Sequence, residues 1–127
     1  MDAWPKGIST ITLFVDDIAA TKRFYQDVFG VRIKYEDDVS AVFDFSHIQV
    51  NLLDATAVPE LIEPAVLAPQ EAGSRLLLTI DVDDVDAMCA QLEKRGVVLL
   101  NGPMDRPWGI RTASFRDPAG HIWEIAH

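Results

Sequence analysis

Apolar and polar residues alternate in two stretches, one near the front of the chain and one past its middle. The apolar positions are Ile11, Leu13 and Val15 in the first stretch, and Leu78, Ile80 and Val82 in the second. A period of two predicts half-buried β-strands at both places. Each stretch runs into a pair of aspartates and then into apolar residues at helical spacing, which predicts an amphipathic helix after each strand.

The two stretches are copies of one pattern. The four residues from Val15 to Ile18 match Val82 to Val85, 67 positions later (82 − 15), with three identities and an isoleucine aligned with a valine. Each copy runs through strand, helix and glycine into further apolar alternation. This order predicts an α+β fold of two βαβββ modules within a single domain, residues 1–127. The modules are expected at about 7–54 and 75–127, on either side of a proline-containing linker at about 55–74.

Each helix is predicted to begin at the aspartate pair and to end at a glycine. Carboxylates suit a helix start because they accept hydrogen bonds from the free backbone N–H groups, so we interpret the aspartates as caps rather than metal ligands. Gly30 and Gly96 are the expected ends. The capping residues are Asp16, Asp17, Asp83 and Asp84. The buried stripes are Ile18, Thr21, Tyr25, Val28 and Phe29 in the first helix, and Val85, Met88, Cys89 and Leu92 in the second.

Three short strands are predicted after each helix. Asp117 to Gly120 has the composition of a turn before the last strand. A short helix is expected in the linker near Glu60 to Glu63. The six strands are expected at Val31–Tyr35, Val39–Phe45, Ile48–Leu53, Val97–Asn101, Arg111–Arg116 and His121–Ala126.

Composition and charge narrow the classes of partner. The 127 residues are 49% hydrophobic and 24% charged, as in ordinary globular domains. With 11 basic and 20 acidic residues the formal charge is −9, which repels nucleic acid and anionic lipid. No apolar run approaches the roughly 20 residues that span a bilayer. We therefore expect a cytoplasmic protein with neither nucleic acid nor membrane as a partner. Its single cysteine, Cys89, is expected in the core rather than as a nucleophile.

Two segments resemble motifs of the vicinal oxygen chelate superfamily, which includes glyoxalase I, extradiol dioxygenases, fosfomycin-resistance enzymes and bleomycin-binding proteins. They are ITLFVDDIAATKRFYQDVFGV and RTASFRDPAGHIWEI, the second ending in the family's D-P-x-G-x-x-x-E hairpin and strand. The resemblance covers nearly the whole chain. It implies that the two modules form an open barrel of the glyoxalase/bleomycin-resistance/dioxygenase type around a ligand cavity, and that the protein pairs as a homodimer.

In the family's metalloenzymes, side chains from the first and last strands of each module bind a divalent ion. The matching positions in this chain are Thr10, Asn51, Leu77 and Glu124. Divalent transition ions favour imidazole and carboxylate donors, so Glu124 is the only ordinary ligand of the four and Leu77 has no donor atom. We therefore expect no metal ion and no other cofactor.

The resemblance also implies which residues line the cavity: Thr10, Asn51, Leu77, Trp108, Arg111 and Glu124. Glu124 is the candidate catalytic acid/base or the partner of a cationic ligand, and the alternative is a carboxylate satisfied by Arg111 or Thr10. Trp108, in the loop from Met104 to Arg111, is either a lid over a ligand or a packing residue. His47 is either exposed or a substitute metal ligand.

Two functions follow as hypotheses. The first is a metal-independent protein of the bleomycin-resistance type that binds a small aromatic or cationic molecule. The second is a glyoxalase- or dioxygenase-like enzyme that uses Glu124 with a metal held by a non-standard ligand set. The ligand positions favour the first, since fold alone does not decide between chemistries.

Overall fold

The computed structural model describes residues 7–127. The chain divides after Leu67 into two compact units, and this boundary lies inside the predicted linker. Each unit contains one four-stranded sheet, with a helix after the first strand. This confirms the α+β prediction of two βαβββ modules. No helix among residues 7–127 is long and apolar enough to cross a membrane.

The elements of the first unit's sheet and its helix are β1 Thr10–Val15, α1 Ile18–Phe24, β2 Ile33–Glu36, β3 Ser40–Asp44 and β4 Gln49–Asp54. The strand order is β1-β4-β3-β2, with β1 parallel to β4 and the other pairs antiparallel. Helix α1 continues without a break into a π-helical segment at Tyr25–Phe29.

The core of the first unit lies between this helix and the sheet. Tyr25 and Phe43 are fully buried, with their ring centroids 5.4 Å apart. Leu13 and Val15 of β1 are buried too, while Thr10 and Thr12 are exposed on the other face. Burial of every second strand residue against one amphipathic helix is the arrangement that the period of two predicts.

The linker contains short helical pieces. A 3₁₀ turn at Ala55–Ala57 leads into helix α2 at Val58–Ile62, which begins two residues before the predicted position. Val58 is fully buried. A second 3₁₀ turn, Gln70–Ala72, belongs to the second unit.

The second sheet and its helix consist of β5 Leu77–Asp81, α3 Val85–Lys94, β6 Leu99–Asp105, β7 Arg111–Arg116 and β8 Ile122–Ala126. This sheet repeats the first, with the order β5-β8-β7-β6. Strand β5 is parallel to β8, and the other pairs are antiparallel. On α3, Val85, Cys89 and Leu92 are buried, as predicted, and burial raises the pKa of the Cys89 thiol.

Strand β6 is longer than predicted. The expected strand ended at Asn101, whereas pairing with β7 continues to Asp105 through an irregularity between Asn101 and Met104. Gly102, at φ +85°, makes this possible because its backbone passes close to β7. A Cβ atom there would collide with the Thr112 carbonyl oxygen and lie 2.8 Å from Cα of Ala113.

The helix ends match the aspartate and glycine signals. The second aspartate of each pair is the cap: Asp17 Oδ1 accepts from the Ala20 N–H and Asp84 Oδ1 from the Ala87 N–H, both at 3.0 Å. Asp16 and Asp83 precede the caps. Gly30 (φ +66°) and Gly96 (φ +83°) follow the helices in the left-handed conformation.

Candidate functional site

Four polar side chains form one row across the second sheet, which we call the polar row. Thr79 of β5 is paired with Glu124 of β8, Glu124 with Ser114 of β7, and Ser114 with Asn101 of β6. The adjacent residues of opposite parity, such as Trp123 and Phe115, are buried. The polar row therefore lies on the face of the sheet that is turned away from α3.

Glu124 is half buried within this row. Its Oε1 accepts a hydrogen bond of 3.0 Å from Oγ1 of Thr79. An ionised carboxylate accepts several hydrogen bonds, and no residue among 7–127 donates to Oε2. One oxygen is thus held by the neighbouring strand, and the other is available to a bound molecule.

Arg106 lies beside the polar row. Its Nε donates to Oγ1 of Thr112 at 2.8 Å, and its Nη2 donates to Oδ1 of Asn101 at 2.9 Å. Thr112 stands two residues before Ser114 on β7, so its side chain is on the same face. Both acceptors are neutral, and within the described part of the chain no carboxylate forms an ion pair with Arg106. The guanidinium therefore brings a positive charge to this face.

Arg111 lies on the opposite face. Its Nε and Nη2 donate to the two carboxylate oxygens of Asp86 on α3 at 2.8 and 2.9 Å, and its Nη1 donates to Asp105 at 3.1 Å. The guanidinium lowers the pKa of Asp86. The expectation that Arg111 satisfies Glu124 is wrong, because Arg111 shares the helix-facing parity of Ala113. Arg111 therefore does not belong to the polar row's side of the sheet.

Trp108 lies at the tip of the β6–β7 hairpin. The Arg106 N–H donates to the Ile110 carbonyl at 2.7 Å, and the Gly109 N–H donates to the Arg106 carbonyl at 3.0 Å. The predicted loop is therefore a tight turn. Trp108 is 68% exposed, so its indole is not packed into the core and remains accessible at the same hairpin as Arg106.

The residues that the resemblance assigns to metal binding do not fit a divalent ion. Leu77 lies two residues before Thr79 on β5 and is paired with Ile122. Its side chain is a hydrocarbon without a donor atom for a metal. Glu124 is the only carboxylate among the four positions, and its Oε1 accepts from Thr79. Among residues 7–127, no three His, Cys, Asp or Glu side chains are grouped as a metal site requires.

In the first unit, Asn51 occupies the place on β4 that Glu124 occupies on β8. Asn51 is paired with Thr12 on one side and with Val42 on the other. Thr10 is paired instead with Gln49, two residues before Asn51 on β4. Oδ1 of Asn51 is buried and accepts no hydrogen bond from residues 7–127. A buried amide oxygen without a donor is costly, so this atom is an acceptor for water or for a bound molecule.

Two further predicted features are located by the structure. His47 is exposed in the turn between β3 and β4, as one of the two interpretations expected. Asp117, in the D-P-x-G turn, is buried, and its Oδ1 accepts from the backbone N–H groups of Ala119 and His121 at 3.0 and 2.9 Å. This turn fixes the start of β8 and so positions Glu124.

The profile of the Glyoxalase/Bleomycin resistance protein/Dioxygenase superfamily matches residues 7–125. The chain belongs to this superfamily. The predicted resemblance is thereby confirmed, and the specific activity within the superfamily is a separate question.

Two relatives illustrate the range within the superfamily. The chain is 35% identical over 119 residues to the uncharacterized protein YraH of Bacillus subtilis (strain 168), covering 91% of this chain and 93% of that protein. It is 24% identical over 120 residues to the metallothiol transferase FosB of Lysinibacillus sphaericus, covering 94% and 81%.

Solved structures of the superfamily show the same fold. A glyoxalase/bleomycin resistance protein/dioxygenase from Nocardioides superimposes with a TM-score of 0.86 at 23% identity, covering 98% of this chain and 85% of that one. A lactoylglutathione lyase from Agrobacterium tumefaciens gives 0.78 at 22% identity, with 96% and 93% covered. At these identities the likeness establishes the fold alone.

Proposed function

We propose that the chain is a metal-independent binding protein for a small aromatic or cationic molecule, of the bleomycin-resistance type, and that Glu124 recognises the positive charge of the ligand. The observation that carries the proposal is the hydrogen bonding of this carboxylate. Its Oε1 accepts from the neutral hydroxyl of Thr79, and its Oε2 has no donor among residues 7–127.

A half-buried carboxylate with one hydrogen-bond donor can accept further donors or pair with a cation. No ion pair joins Glu124 to an arginine among residues 7–127. Arg106 brings its charge to the same face but is bonded to Thr112 and Asn101, and Arg111 lies on the other face and is paired with Asp86. Arg116, on β7, forms no ion pair with a described residue. A cationic ligand would supply the charge. The formal charge of −9 favours its approach, and the exposed Trp108 offers an aromatic face to a cation or a ring.

Isothermal titration calorimetry with benzyltrimethylammonium, a probe that is both aromatic and cationic, tests this proposal. Benzyl alcohol and phenylacetate are the neutral and anionic comparisons. We expect saturable binding of the cation tighter than about 1 mM and weaker binding of both comparisons. Glu124→Gln should weaken the cation about tenfold or more, whereas Glu93→Gln, the same charge change on α3, should not. Dissociation constants of about 1 mM or weaker for all three probes would contradict the proposal.

A metal-dependent enzyme is the second candidate. It is supported by the position of Glu124 and by the similarity to FosB, which is described as a metallothiol transferase. In that case Glu124 would be the acid/base, with the metal held by a non-standard ligand set. The test is metal content per chain after loading with Fe(II), Mn, Ni and Zn. Near-stoichiometric metal in the wild type that is lost in Glu124→Ala would favour the enzyme. A wild-type protein that retains no metal after loading would favour the binding protein.

Two expectations from the resemblance and the composition remain proposals. The chain is expected to form a homodimer, which light scattering coupled to size-exclusion chromatography tests directly. A mass of one chain at the working concentration would contradict it. The cytoplasmic location is likewise a prediction, to be checked by fractionation.

A further inference from the structure

The second unit contains a groove with a volume of about 510 Å³. It lies between the 3₁₀ turn Gln70–Ala72 and the turn that joins β7 to β8. Its lining residues are Gln70, Glu71, Gly73, Ser74, Arg116, Gly120 and Ile122. The volume is within the range of small-molecule sites.

Two contacts fix the walls of this groove. Ser74 Oγ donates to the Gly120 carbonyl at 3.3 Å. The Gln70 side chain lies against Gly120, since a Cβ atom there would be 3.5 Å from Gln70 Oε1. The linker turn is thereby held against the β7–β8 turn, and the groove between them is part of the fold.

Two opposite charges line the groove. Arg116 and Glu71 are both exposed, and neither forms an ion pair with another described residue or with each other. Arg116 is the last residue of β7 and is paired with Ile122. It lies two residues after Ser114 of the polar row, on the same face of the sheet. The groove therefore adjoins Glu124 without including it.

This charge pattern selects the ligand class. A simple anion would approach Arg116 but be repelled by Glu71, and a simple cation would meet the reverse. A molecule that carries both charges satisfies both residues. A guanidinium binds a carboxylate through two parallel hydrogen bonds, and a carboxylate accepts from an ammonium group.

We propose that this groove binds a small zwitterion such as a free α-amino acid, with the ligand's carboxylate on Arg116 and its ammonium group on Glu71. The inference does not depend on the function proposed for Glu124. It assigns a second site on the same unit, with its own ligand chemistry.

Amide chemical-shift titrations test the proposal with glycine, leucine and phenylalanine as probes. Each is compared with its N-acetyl form, which lacks the positive charge, and with its amide form, which lacks the carboxylate. We expect at least one free amino acid to shift the Gly73 and Gly120 signals with a dissociation constant tighter than about 10 mM. Each capped form of that amino acid should bind about tenfold more weakly or worse.

Two variants assign each charge to its residue. Glu71→Gln should bind the free and N-acetyl forms equally, and Arg116→Gln should bind the free and amide forms equally. Glu124→Gln should leave the titrations unchanged, so that this proposal and the function proposed for Glu124 are tested separately. Absence of saturation by any free amino acid, or an N-acetyl or amide form that binds wild-type protein as tightly as the free amino acid, would overturn the inference.

Discussion

Thr79 and Glu124 are direct partners in the parallel β5–β8 pair, and the Thr79 hydroxyl donates a 3.0 Å hydrogen bond to Glu124 Oε1. The bond orients a carboxylate that the resemblance matches to a metal-ligand position of the family's metalloenzymes. Because one oxygen is held by a side chain of the neighbouring strand, the direction of the other oxygen is set before any ligand arrives. Such preorganisation lowers the entropic cost of binding.

Replacing Thr79 with valine should therefore weaken the cationic probe. Valine keeps the shape of threonine but removes the donor, so Glu124 loses the bond that orients it. We expect benzyltrimethylammonium to bind roughly threefold to tenfold more weakly, about 1 kcal/mol. Thr79→Ser retains the hydroxyl and is the matched control in the same calorimetric titration. Equal affinities for the valine variant and the wild type would show that the bond does not orient the carboxylate.

Gly102→Ala should be strongly destabilising. The added Cβ atom collides with the β7 backbone at Thr112 and Ala113, and the residue has φ +85°. We expect the free energy of unfolding to fall by about 2–4 kcal/mol, measured by urea denaturation. Gly109→Ala is the control. It shares the positive φ of +96°, but its Cβ atom would meet nothing within 4 Å, so a loss of only about 1 kcal/mol is expected. Equal losses in the two variants would contradict the close approach at Gly102.

The cap of α3 should depend on the second aspartate of its pair. Asp84→Ala removes the acceptor for the Ala87 N–H and should lower the free energy of unfolding by about 1 kcal/mol. Asp83→Ala, one residue earlier, should change it by less than about 0.5 kcal/mol. Thermal unfolding of both variants measures the difference. Equal losses would mean that the pair acts through its charge rather than through the cap.

Acid should weaken the ion pair between Arg111 and Asp86. The guanidinium lowers the pKa of Asp86 in the folded protein, so the pair stabilises the fold above the ordinary pKa of aspartate, near 3.9. This contribution is lost as the pH falls through the lowered pKa. Wild-type protein and Asp86→Asn should therefore differ in urea midpoint at about pH 6 and converge as the pH is lowered below the ordinary pKa of aspartate. A difference that stays constant across this range would argue against the ion pair as its cause.

The fold could be predicted because its signals are local and occur twice. The strand alternation, the aspartate caps and the terminal glycines recur in both modules, and each specifies its own neighbourhood. Strand β6 was predicted too short because Gly102 and Pro103 are typical of a turn. Only the close passage of β7 shows why a glycine is needed inside a strand there.

The candidate site was predicted in part. Glu124 and Asn51 lie on the expected face of their sheets, but Arg111 does not, because its face depends on a register that the sequence does not contain. Arg106 was not selected, since the direction of a turn side chain is set by the turn's own hydrogen bonds and not by strand parity. The groove at Arg116 is lined by linker residues and by the β7–β8 turn, which are far apart in the sequence. No local sequence pattern predicts that they lie together.

The affinity of metal-stripped protein for benzyltrimethylammonium bears most directly on the proposed function. The titration is done after treatment with a chelator, and again after reloading with Fe(II), Mn, Ni or Zn. We expect the stripped protein to bind the probe as tightly as the reloaded protein, and Glu124→Gln to bind it about tenfold more weakly under both conditions. Binding that disappears on stripping and returns with a stoichiometric metal would contradict a metal-independent binding protein and favour the enzyme.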